Sequence, residues 1–81
     1  MKARLKIDLL LICHNSHGAL LEILRNSDLD SVNKAHVVNE VLYNLFAVDT
    51  AIFNEEIQTL DEFVEYFERF EQRLETKISE S

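Results

Sequence analysis

The sequence has no proline and no tryptophan, one glycine (Gly18), one cysteine (Cys13) and one methionine. Sheet proteins need residues that tolerate positive φ at nearly every hairpin, so a chain this poor in glycine and proline points to a few long helices with short links. A lone cysteine excludes an intramolecular disulfide, and with it the disulfide-stapled class of small secreted domains. No stretch approaches the roughly 18–20 uninterrupted apolar residues of a membrane span, so none is expected. Also missing are a glycine-rich phosphate loop, a Ser-His-Asp arrangement and a basic strip interleaved with aromatics.

What is present suits one small domain. The chain has 81 residues, near the lower size limit for a self-sustaining core, and its 47% hydrophobic content is too high for a disordered one. The net charge is −7 and unevenly spread. Residues 1–26 carry Lys2, Arg4, Lys6 and Arg25 against Asp8 and Glu22, a balance of +2. Residues 27–81 carry four basic groups against thirteen acidic ones, a balance of −9. Such a body repels phosphate backbones and anionic lipid, so direct nucleic-acid and membrane-surface binding are disfavoured and a basic protein surface is the favoured partner. The opening Lys2-Ala3-Arg4-Leu5-Lys6, followed by Leu9-Leu10-Leu11-Ile12, resembles a signal peptide. Asp8 interrupts it, His14, Asn15 and His17 follow, and no small-x-small cleavage site appears. The lipoprotein-like run Leu10-Leu11-Ile12-Cys13 lacks the small residue wanted before the cysteine. The expectation is a cytoplasmic protein.

Periodicity predicts three helices, over about 3–26, 32–56 and 60–78. In the first, Leu5, Leu9, Ile12, Ala19 and Ile23 form one stripe, with Leu10, Cys13, His17, Leu20 and Leu24 beside it. Between residues 9 and 13 this helix is apolar on every side, which implies two contact surfaces. Gly18 within it costs about 1 kcal/mol relative to alanine. That cost suggests either close packing of another helix or a break into two shorter ones. Asn26-Ser27-Asp28-Leu29-Asp30-Ser31 reads as a link, with Asp30 or Ser31 as the next N-cap. The second helix has a broad apolar face of Val38, Val41, Leu42, Leu45, Phe46, Val48, Ile52 and Phe53, and Asp49-Thr50 offers a point for a kink. Thr59-x-x-Glu62 fits a capping box. Leu60, Phe63, Phe67, Phe70 and Leu74 then follow a 3-4-3-4 spacing, flanked by Val64 and Ile78, with Glu65, Glu68, Glu71 and Glu75 outside the stripe. Beyond Ile78 the helix is expected to fray.

Three constellations could carry chemistry. Cys13, His14 and His17 have helical metal-ligand spacing, but zinc needs about four ligands, so these residues make a site only if a dimer supplies the rest. Cys13 with His17 as base is a nucleophile pair at i,i+4, without any visible oxyanion-hole architecture. Glu62-x-x-Glu65 and Glu68-x-x-Glu71 resemble magnesium ligands, yet they fall opposite the phenylalanine stripe and read as a solvated face.

The expected fold is all-α: residues 1–81 as a single domain, a three-helix antiparallel bundle that dimerises into a larger one because it has more apolar helix surface than one seam consumes. The dimer or partner interface is expected at Leu9, Leu10, Leu11, Ile12, Phe63, Phe67 and Phe70, with the phenylalanine stripe serving either as core or as anchor. The expected function is a non-enzymatic regulator, adaptor, inhibitor or chaperone that binds a basic protein, without a cofactor. Alternatives are a metal-binding protein using Cys13, His14 and His17 across a dimer, and a nucleic-acid mimic that inhibits a DNA-binding protein.

Overall fold

A computed structural model describes residues 2–79 and has three helices: α1 (Ala3–Arg25), α2 (Ser31–Phe53) and α3 (Leu60–Ser79). Local chemistry sets each boundary. At the end of α1, Asn26 and Ser27 turn their side chains back on the Glu22 and Leu24 carbonyls, satisfying acceptors that the helix leaves open. Asp30 is the N-cap of α2: its carboxylate accepts from the Asn33 backbone N–H at 2.9 Å. The end of α2 is a Schellman turn, in which the Glu56 N–H reaches the Ala51 carbonyl and the Glu55 N–H that of Ile52. That motif places Glu55 at φ 61°, a conformation usually left to glycine, and the turn drives Ile57 into the core at 0% exposure. Thr59 caps α3 by accepting from the Glu62 N–H. The Glu62 carboxylate reaches back to the Gln58 N–H, one residue earlier than the ideal capping box.

α1 and α2 lie close along their whole length, while α3 stands further off and spans the gap with large side chains. Partner numbers fall along α2 as they rise along α1. Lys6 bonds the Phe53 carbonyl, His14 meets Asp49, His17 meets Asn44, and the Arg25 carbonyl accepts from Lys34. Two apolar clusters fill the interior. Phe63 closes one against Leu9, Cys13, Val48, Ile52 and Ile57. Phe70 and Leu74 close the other against Leu24, Val37 and Val41. Fully burying a side chain of this size contributes about 1.5–3 kcal/mol.

Two open alternatives are decided, the phenylalanine stripe and the continuity of α2, and two expectations change, at Gly18 and in the apolar length of α1. The phenylalanine stripe is core: Phe63 and Phe70 are buried and Phe67 partly so, because α3 has no other apolar face to turn inward. Gly18 neither breaks α1 nor admits a neighbouring helix, since an added Cβ there meets nothing within 4 Å. Asp49-Thr50 does not kink α2, which runs on to Phe53, with the Thr50 hydroxyl bonding the Phe46 carbonyl one turn back. Finally, α1 is long and apolar enough by length and composition to cross a membrane, and only 22% of its most apolar window is buried within the chain. It is nevertheless bonded to α2 through Lys6, His14 and His17. The fraying expected after Ile78 falls mainly on residues outside the described range.

The molecule is long and thin, 43 × 18 × 15 Å, with a radius of gyration of 13.5 Å. A compact chain of this length would have a radius of about 12 Å.

Candidate functional site

The polar residues of the α1·α2 seam form one connected group. His17 is fully buried, with Nδ1 2.7 Å from the Cys13 carbonyl and Nε2 2.8 Å from the Asn44 side-chain amide. A carbonyl only accepts, so Nδ1 carries the hydrogen, and Nε2 is then the acceptor for the Asn44 NH2. This is a neutral imidazole with both nitrogens engaged. Burial lowers its pKa below the ordinary 6.5, outweighing the opposing pull of the Cys13 carbonyl and the Asp49 charge. The ring also stands edge-on to Phe67, with centroids 5.1 Å apart, and tilts against Phe70. α3 therefore roofs the histidine with aromatic surface.

Cys13 lies one turn before His17, its sulfur 3.7 Å from Nδ1, and is 0% exposed. Burial first, then the charge of Asp49 and hydrogen bonding to it, push the thiol up to about 12. Asp49 Oδ1 is buried without a hydrogen-bond partner among the described residues. Its other oxygen is 2.8 Å from His14 Nε2, at the outer margin of the seam. A thiol with so high a pKa, beside a histidine whose nitrogens are both occupied, is equipped neither to attack a substrate nor to be deprotonated.

The proposed metal ligands also separate. Cys13 and His17 point inward, His14 points outward to Asp49, and His36 is exposed on the other helix. Among the described residues, no group of three His, Cys, Asp or Glu side chains comes together to hold a metal ion. The carboxylates of α3 do not converge either. Asp61, Glu62, Glu65, Glu68 and Glu75 are exposed, and Glu65 pairs with Arg69 on its own helix.

Surfaces, then, are what the molecule offers. The first is the solvated side of α3, an acidic strip running from Asp61 to Glu75. Arg73 and Lys77 lie toward α2, where Arg73 sits over the Phe70 ring and Lys77 meets Glu40. The second is apolar. Of the residues expected at an interface, Leu9 is consumed by the core with Phe63 and Phe70, and Leu10 and Phe67 are partly buried. Leu11 and Ile12 remain outward, 57% and 36% exposed. They have company that was not expected at an interface: Ile7 on α1, and Leu42, Tyr43, Phe46 and Phe53 on α2. The signal was available in the spacing of residues 42, 46, 49 and 53. It was masked because the same helix carries a second apolar face. Asn44 and Asp49 could not have been linked to Cys13 and His17 without knowing how α1 meets α2. No protein-family model matches the chain, and neither a curated protein nor a solved structure does.

Proposed function

We propose that this chain is a non-enzymatic interaction module: an antiparallel three-helix bundle, working in the cytoplasm, that pairs with itself and presents the acidic strip of α3 to a basic protein surface. The observation that carries the reading is the division of labour on α3. Phe63, Phe70 and Leu74 are spent on the core, while Asp61, Glu62, Glu65, Glu68 and Glu75 project outward; Arg69 offsets only Glu65, and Lys77 is drawn to Glu40 of α2. Exposed charge predominantly of one sign on a rigid helix steers a partner of opposite sign and speeds its approach more than it tightens the final complex. A regulator, adaptor or inhibitor is the class this supports.

The test is recovery of basic partners from the native cell, followed by affinity measurement against ionic strength. Affinity should fall steeply between about 50 mM and about 500 mM salt, as the screening length shrinks below the width of the strip. Glu68→Lys with Glu75→Lys should weaken binding while leaving the helical signal intact. Affinity indifferent to both salt and charge reversal would sink the proposal.

A further inference from the structure

We propose that the face of the α1·α2 pair turned away from α3 is where a second copy of this chain docks. The inference rests on the self-pairing just proposed and names the surface that does it. Two lines of residues make up the face. On α1, Ile7, Leu11, His14 and Gly18 follow each other at intervals of four, three and four; on α2, Leu42, Phe46, Asp49 and Phe53 do the same. Neither line enters either core cluster. This is the knob spacing of helices that pack at shallow angles, and the same rhythm buries Phe63, Phe67 and Phe70 on α3. Here it packs into no core cluster among the described residues.

The area fits a dimer. Phe46 is 73% exposed, Phe53 61%, Leu11 57%, Ile7 55% and Leu42 48%. With aromatic side chains of roughly 200 Å² and aliphatic ones somewhat smaller, these five show about 500–550 Å² to water. A monomer's largest apolar patch is about 300–600 Å², and each partner of a standard interface buries about 800 Å². The whole chain agrees with this count. It exposes 5672 Å², against about 5000 Å² for a compact monomer of its mass.

Charge identifies the occupant. The only titratable side chains in the two lines are His14 and Asp49, already bonded to each other at 2.8 Å, so closing the face strands neither without a partner. Each copy carries −7 overall, and most of the acid is on α3 and the turn before it. Back-to-back pairing through α1 and α2 puts the two acidic strips on opposite outer sides, the arrangement of least repulsion, and leaves both free for the basic partner. Gly18 gains a role as well: with no Cβ and open space above it, it lets a helix of the second copy approach closely.

The test is sedimentation equilibrium of the full chain from about 1 µM to about 200 µM, a range that spans ordinary homodimer affinities. The wild type should reach twice its 9.5 kDa chain mass. Phe46→Glu, and separately Leu11→Glu on the other line, should shift the midpoint of association at least tenfold upward, with helicity by circular dichroism unchanged. Glu68→Lys on α3 should remain dimeric. A dimer indifferent to both face variants overturns this inference and leaves self-pairing through another surface standing. A wild type that stays at 9.5 kDa throughout overturns both. Flotation of the chain with lipid vesicles, abolished by Phe46→Glu, would assign the face to a membrane and overturn it too.

Discussion

α3 and the α1·α2 pair are built on opposite plans. α3 has one dominant apolar stripe flanked by Leu60, Val64 and Tyr66, so its burial follows its pattern: Phe63, Phe70 and Leu74 go in and most of the glutamates stay out. α1 and α2 are apolar on two sides, and hydropathy alone does not say which side turns inward. In α1, Cys13, His17 and Leu24 of one stripe are buried together with Leu9 from the neighbouring one, whose Leu5, Ile12 and Ile23 remain exposed. The two stripes differ in their polar members. His17 finds Asn44 across the seam, and a buried polar group is tolerable only where its partner waits. Apolar area supplies the adhesion in this molecule, and a few polar residues choose the register.

The sharpest way to break that contrast is to truncate one phenylalanine from each region. Phe63→Ala removes a side chain that is 2% exposed and closes the first core cluster, and it should cost about 3–5 kcal/mol in urea unfolding. Phe46→Ala removes an equal side chain that is 73% exposed. At concentrations where the chain is monomeric it should change stability by no more than about 0.5 kcal/mol. Equal costs would mean that the two faces are not distinguished as described.

Next in size is the polar register. His17→Ala leaves the Asn44 amide unpaired and opens a space beneath Phe67 and Phe70, an expected loss of about 2–3 kcal/mol. The pH dependence has a definite sign. The folded state holds His17 below the 6.5 of the free side chain, so below that pH the unfolded chain binds the proton more readily. The stability that neutral His17 contributes is therefore whole above about pH 6.5 and is lost as pH falls through the folded value. The gap between wild type and His17→Gln, measured by urea unfolding at stepped pH, should narrow on acidification; a gap that widens would reverse the assignment. Cys13 gives a companion measurement. With its thiol pushed up to about 12 and its sulfur shielded, it should react with an aromatic disulfide reagent at pH 8 only when the chain is denatured.

How much of this was legible depended on whether the controlling interactions were local. Helix boundaries were, because caps act over three or four residues: Asp30 with Asn33 and Thr59 with Glu62 are each complete within one turn. α3 was legible from end to end for the same reason that its burial matches its stripe. What escaped was long-range. Nothing near Cys13 announces Asp49, and nothing near His17 announces Asn44. The outward turn of Leu42, Phe46 and Phe53 depends on which side of α2 faces α1. Ile57, alone in a polar link, is buried because the turn at Glu55 bends the chain back over the core, a conformation no glycine advertised.

The smallest effects test whether the ends and surface of the helices behave as read. Thr59→Ala removes the hydroxyl that accepts from the Glu62 N–H and should cost about 1 kcal/mol. Gly18→Ala should do the reverse. Gly18 is helical and its φ is not positive, and the added methyl meets nothing within 4 Å, so nothing in the single chain opposes the substitution. The gain comes from the unfolded state, where glycine has more freedom to lose: about 0.5–1 kcal/mol, or a rise of several degrees in Tm. That gain should be full in dilute protein. It should shrink as concentration rises, if a second copy packs its helix against the space that Gly18 leaves. Thermal unfolding of wild type and Gly18→Ala at two concentrations about a hundredfold apart measures both parts at once. An advantage that is the same at both concentrations would show that no helix ever reaches this glycine, and would move the dimer contact elsewhere on the face.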